Sequence, residues 1–168
     1  MPYADGIYPG WRKQSNYFIN AKPQKPSINI GAWSCLERAI REEAMLLKED
    51  LQVFTGAFDS SSFLESASGQ IEVHKFWYKI VLKRQTGMAF ISCNDENDIC
   101  KDKLAKCCTD ICVSTKWGIL KTVQNKKVIC CALNEFHNPK NNVPKIPETI
   151  GITQILVSAR NPPAAAGA

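Results

Sequence analysis

The chain has 168 residues and a mass of 18.7 kDa, with 45% hydrophobic and 22% charged side chains, which excludes a mainly disordered chain, a collagen-like repeat and a coiled coil. No stretch approaches the roughly 18 consecutive apolar residues of a membrane span. The net charge of +5 is uneven: residues 101–168 hold 10 basic and 4 acidic side chains, the first hundred residues 11 and 12, so the last third is where a polyanion would be attracted.

Residues 1–31 are rich in Pro, Gly, Asn and Tyr, with a short strand predicted at Tyr17–Asn20 before the Pro23/Pro26 loop. Trp33, Leu36, Ile40, Ala44 and Leu47 then recur at helical spacing with polar residues between them. The pattern predicts a helix over about 30–49 with Asn29 as a cap-region residue. Strand patterns follow at Leu51–Thr55, Ile71–Val73, Trp77–Lys83 and Met88–Cys93, with Phe58–Gly69 read as a Ser-rich surface loop and Asn94–Asp98 as an acidic loop. Residues 99–112 read as a helix or an irregular disulfide-stapled segment, Val128–Leu133 as a buried strand, Pro139–Pro147 as loop and Ile150–Val157 as a short apolar element. The sum is one α+β domain over residues 1–160, without repeat or linker, followed by a flexible tail at 161–168.

Seven of the eight cysteines fall from Cys93 to Cys131, at successive spacings of 7, 7, 1, 4, 18 and 1. Zinc sites want Cys-x2-Cys ligand pairs, which this spacing lacks. Disulfides formed in an oxidising compartment account for the set better. The adjacent pairs Cys107–Cys108 and Cys130–Cys131 cannot easily bridge internally, so each member is expected to reach elsewhere. A secreted protein carries a signal peptide, yet the chain starts Met-Pro-Tyr-Ala-Asp without a basic or apolar leader.

Asn20, Asn29, Glu37 and Arg41 form the constellation with the most chemistry. Glu37 and Arg41 are four apart, so they share a helix face. Asn29 sits at the amino end of that helix, where anionic ligands are favoured, and an amide oxygen is also a hard ligand for Mg²⁺. On spacing alone, a simple cap and a solvated ion pair are the better account of these residues.

The run Asn20-Ala21-Lys22-Pro23-Gln24, followed by Asn29-x-Gly31-x-Trp33-x-x-Leu36-Glu37-x-x-x-Arg41, resembles the core of the DNA/RNA non-specific endonucleases, the ββα-metal (His-Me finger) nucleases. The similarity extends loosely through Leu51-x-Val53-x-Thr55-Gly56 and Ile71–Val81, where His74 stands at a usual proline position. The Cys-rich region, Ile146-Pro147 and Leu156-Val157 look like the arthropod secreted branch. The resemblance implies a ββα-metal fold with a mixed or antiparallel sheet packed by a long helix, and a one-metal phosphodiesterase acting on DNA and RNA without sequence specificity. It implies Mg²⁺, with Mn²⁺ as the alternative, held directly by Asn29. Glu37 would order the metal's waters, Arg41 would contact the phosphate and Asn20 would position the catalytic group. Trp33 reads as a core anchor of the helix.

The family's general base is the histidine of Asp-Arg-Gly-His, followed by x-Ala-Pro. Pro2 matches that proline, which puts the histidine two positions before Met1. The resemblance thus implies an amino-terminally truncated domain lacking its first strand or strands, inactive as it stands because general-base catalysis contributes typically 10²–10⁴-fold. Neither His74 nor His137 has a sequence argument placing it at the site. The alternative is a non-catalytic, secreted, disulfide-rich module that binds nucleic acid or protein.

Overall fold

The computed structural model describes residues 22–67, 69–94, 99–117, 120, 128–141, 143 and 145–159. The strand expected at 17–20, Asn20 within it, the acidic loop at 95–98 and the tail at 161–168 lie outside them. The periodicity around Trp33 does make a helix, but its entry is broken. Pro26 starts a single helical turn, Pro26–Ile28, at the one position where its missing N–H costs nothing. A wide π turn, Asn29–Trp33, follows, kinked at Gly31 (ψ −108°), and the regular helix α1 spans Ser34–Leu47. Asn29 therefore has helical dihedrals (φ −61°, ψ −49°) and closes the Pro26–Ile28 turn instead of capping the start of the long helix, because Pro26 begins the helical segment one turn earlier. Lys48 ends α1 in the left-handed conformation, a common helix stop.

Strands β1 (Gln52–Ser66) and β2 (Gly69–Lys83), 15 residues each, form a hairpin, paired from Gln52↔Leu82 to Ser66↔Gly69 with a bulge at Ser60/Ser62. The Ser-rich segment expected as a loop is the outer half of β1. Serine disfavours strand interiors only weakly, and a facing strand that takes up the backbone groups overrides it. Beyond Phe58 and His74 this ribbon is mostly exposed, with Phe63, Leu64 and Ile71 in solvent. Strand β3 (Thr86–Cys93) pairs antiparallel with β2 and, along its other edge, with β4 (Val128–Cys131) and, in parallel, with β5 (Gln154–Ile155). Only two residues of the segment expected at Ile150–Val157 are strand, and Ile150, Ile155 and Val157 are exposed.

Side-chain alternation sends β2 to β4 into two cores. Tyr78, Ile80, Leu82, Ala89, Ile91, Ile129 and Cys131 pack with Phe58, Phe76, Leu133 and Phe136. That face also receives helix α2 (Ile99–Cys107) through Leu104 and the short helix α3 (Leu133–Phe136). Val81, Met88, Phe90, Val128 and Cys130 pack on the other face with Trp33 of the π turn, with Leu36, Ala39 and Ile40 of α1, and with Trp117 and Leu156. The expected α+β class with a mixed sheet under a long helix is what the structure shows.

Alternation also solves the cysteine pairs on β4. Cys130 and Cys131 point to opposite faces, and they bond Cys112 and Cys108 respectively. Asp110 Oδ1 accepts the N–H groups of Cys112 and Cys130, both at 3.1 Å, fixing the loop against the strand. Cys107 departs from expectation: it is a half-buried free thiol, as is Cys35. Being last in α2, Cys107 directs its Sγ to its own helix, at Lys103 O 3.4 Å away. The segment after β5 crosses back to α1: Leu156 N–H bonds Gly87 O, Ser158 N–H bonds Thr115 O, and Ser158 and Ala159 both donate to Glu43. No described helix is long and apolar enough to cross a membrane.

Candidate active site

Trp33, Glu37 and Arg41 succeed one another at intervals of four along the helix that covers the sheet, one turn apart. The indole of Trp33 is buried and meets Trp77 of β2 edge-on, with ring centroids 6.0 Å apart. Two residues along β2, on the same face, stands Lys79. Its Nζ lies 3.2 Å from Glu37 Oε1, donates to Thr55 Oγ1 at 3.0 Å, and sits 4.8 Å from the centre of the Trp33 ring. Thr55 is the β1 residue directly opposite Lys79. Four segments thus converge on one ammonium: α1 with a carboxylate, the π turn before it with an indole, β1 with a hydroxyl, and β2 with the lysine itself.

The electrostatics follow from that packing. Burial pushes the Lys79 pKa down, the Glu37 carboxylate pulls it back up, and the nearby Arg41 guanidinium lowers it again. Arg41 is solvent-exposed at this end of the cluster, and Glu37, one turn before it, is partly exposed. The expected Glu37–Arg41 surface pair is therefore not the contact that defines Glu37, which turns to the sheet; Arg38 and Glu42 make an i,i+4 ion pair on this helix at 3.9 Å.

Asn29 is half-buried in the wide turn before α1. Its N–H bonds Lys25 O at 3.0 Å, and the loop carrying Lys25 is pinned to the sheet by buried Asn94. Asn94 Oδ1 accepts the Lys25 N–H at 2.9 Å, and its Nδ2 donates to Pro23 O and His74 O. Between this loop and the outer hairpin lies a cavity of about 550 Å³ bordered by Lys25, Lys75 and Lys103, with Leu64 and Val73. Lys75 also pairs with Asp59 at 3.2 Å.

Both histidines lie on the opposite side of the sheet. His74 shares the Phe76 and Tyr78 face of β2, with Nε2 3.4 Å from Lys22 Nζ and 3.2 Å from Glu72 Oε2. Burial and Lys22 lower its pKa against the pull of Glu72. His137 follows α3 and meets Thr149 Oγ1 at 2.6 Å through Nε2. Since that hydroxyl donates to Ile146 O, His137 is the donor, and burial lowers its pKa as well.

A model of the DNA/RNA non-specific endonucleases matches residues 1–128. The chain belongs to this family. A salivary endonuclease of Lutzomyia longipalpis is 28% identical over 153 residues, covering 80% of this chain and 36% of the relative. The chain therefore spans about a third of the length of that curated relative. No solved structure matches it.

Among the described residues of this endonuclease-family chain, the structure brings Glu37 and Arg41 to one end of one helix face and sets Asn29 in the turn that leads into it. The donor set suits a hard divalent cation. An amide oxygen is a fit ligand, and a carboxylate with one oxygen already engaged by an ammonium suits holding water better than binding metal directly. The cluster of Asp110, Cys112 and Cys130 has ligand atoms close enough for a metal, but both cysteines are consumed in the same disulfide. Sequence reasoning missed Lys79 and Thr55 as members of the site. The available signal was a lysine inside the otherwise apolar run Trp77–Leu82.

Proposed function

We propose that this chain carries the metal- and phosphate-handling part of a Mg²⁺-dependent site, with Mn²⁺ able to substitute, that acts on the phosphodiester backbone of DNA and RNA without reading sequence. The observation that carries the reading is the seating of Glu37: its carboxylate is fixed from the sheet by Lys79, one turn from an exposed arginine. Asn29 would hold the metal through its amide oxygen, Glu37 would orient water beside it, and Arg41 would grip a non-bridging phosphate oxygen. Asn20, outside the described residues, is proposed to position the catalytic group. Bound Mg²⁺ supplies Lewis-acid stabilisation of the charge that builds on phosphate and leaving oxygen. The lysine-bordered cavity beside Asn29 offers the backbone a cationic neighbour. The disulfides, with the salivary relative, support an extracellular setting.

General-base catalysis needs a proton acceptor within about 3 Å of the attacking water. The sequence contains no Asp-Arg-Gly-His run and only two histidines. His74 is five positions from Lys79 on β2, roughly 16 Å at strand rise, and faces the other core. His137 lies on that far side too. The proposed activity of the 168-residue chain by itself is therefore binding without appreciable cutting. Incubating it with plasmid and RNA, in Mg²⁺ or in EDTA, tests this. The expected result is saturable Mg²⁺-assisted binding that Asn29→Ala weakens, with cleavage at background. Mg²⁺-dependent cleavage that disappears in Asn29→Ala would show that a base is present after all, and binding indifferent to Asn29 would remove the metal-site reading.

A further inference from the structure

Lys79 is an expensive residue in its position. It is 8% exposed, and a lysine is almost never buried without a specific partner, because the ammonium loses its hydration. On the same face of β2 its neighbours are Trp77 and Val81, which pack against the α1-side core. A methionine would fill the same space without the desolvation cost. What the ammonium adds is direction. It reaches Glu37 Oε1 at 3.2 Å and Thr55 Oγ1 at 3.0 Å, while the Trp33 ring caps it 4.8 Å away. Thr55 and Trp33 hold it in place from two other elements. A partly exposed glutamate on a helix would otherwise sample several rotamers and salt partners.

The geometry points to Lys79 as a positioning residue: anchored by Thr55 and Trp33, it holds the Glu37 carboxylate in the orientation on which divalent-metal capture at the Asn29 turn depends. The inference rests on the metal-site reading above and adds the residue that organises it from the sheet. Partners that orient groups around a metal commonly change affinity by 10–100-fold when removed, and Lys79 would act solely through Glu37.

The test is a Mn²⁺ titration of the 168-residue chain, following the free-ion paramagnetic resonance signal, with thermal melts as a folding check. Lys79→Met and Glu37→Gln are each expected to weaken Mn²⁺ binding by roughly tenfold, the lower end of that range. The double variant is expected to be no weaker than Glu37→Gln alone, a coupling that general loosening of the fold would not produce. Thr55→Val, which leaves both charged groups in place, should give a smaller loss in the same direction and decides the matter if Lys79→Met does not fold. Unchanged affinity in Lys79→Met, or single effects that multiply in the double variant, would overturn the role of Lys79 while an Asn29→Ala loss still upheld the metal site. No Mn²⁺ binding by the unmodified chain would overturn both.

Discussion

Glu43 provides the sharpest test of how the helix that carries the candidate site is held. It lies on the buried face of α1 with Leu36, Ala39 and Ile40, and is fully buried. Its Oε2 accepts the Ser158 hydroxyl and its Oε1 the Ala159 N–H, both at 2.6 Å. Hydrogen bonds to a charged acceptor contribute about 1.5–3 kcal/mol each. In Glu43→Ala the exposed Ala159 N–H can turn to water, whereas Ser158, 1% exposed, cannot. The expected loss is therefore about 2–4 kcal/mol rather than twice the full value. At this chain length that is a fall in melting temperature of roughly 5–15 °C. Glu42→Ala is the control on the same helix: its ion pair with Arg38 is at the surface, and the expected change stays within about 0.5 kcal/mol. Denaturant and thermal melts measure both, and limited proteolysis reads whether residues 154–159 are released first. Equal stability of the two variants would refute the idea that Glu43 fastens the carboxy-terminal strap to α1.

Gly56 faces Tyr78 across the β1–β2 ladder, and a Cβ there would run into the phenol ring; Gly56→Ala should cost about 1–3 kcal/mol by overpacking, partly recovered in a Tyr78→Phe background, as denaturant melts would show. His74 and His137 both have pKa values lowered from 6.5 by burial, so below about pH 6.5 the unfolded chain binds more protons than the folded one. Stability should fall as the pH drops through that window, and His74→Gln should flatten the decline; melts between pH 4 and 8 with unchanged slope would contradict it. Lys25 and Lys103 border the cavity beside the Asn29 turn. Replacing either by alanine should weaken nucleic-acid binding at all sequences and reduce the slope of log K against log salt by about 1, whereas an unaltered slope would remove the cavity from the binding surface.

What the sequence made legible was local. The spacing of Trp33, Leu36 and Ile40 predicts α1 because residues three and four apart share a helix face, and the β-branched and aromatic run Trp77–Lys83 predicts a strand. What it hid depended on pairing. Phe58–Gly69 reads as loop from its serines, and only the facing strand, Gly69–Lys83, turns it into half of a ladder. The wide turn at Asn29 was hidden too, since neither Gly31 nor Pro26 announces a π turn. The same distinction runs through the candidate site. Asn29, Glu37 and Arg41 lie within 13 residues and could be grouped from their spacing, with the family resemblance giving them roles. Lys79 is 42 positions beyond Glu37 and sits in a strand whose alternation could equally have turned it to solvent. Only the docking of α1 on that face of the sheet makes it a buried cation.

The cysteines obey the same logic at shorter range. That Cys130 and Cys131 cannot bond each other follows from their adjacency, but which of them meets Cys112 depends on which face of β4 each occupies, and so on the whole sheet. Cys107 shows the limit of the parity argument: eight cysteines invite four bonds, yet Cys35 lies on α1 against one face of the sheet and Cys107 ends α2 against the other. The β-sheet that separates the two cores also separates these thiols. It stands likewise between both histidines and the Glu37–Lys79 pair, so the barrier that leaves two cysteines reduced is the one that leaves the proposed metal site without a histidine from this chain.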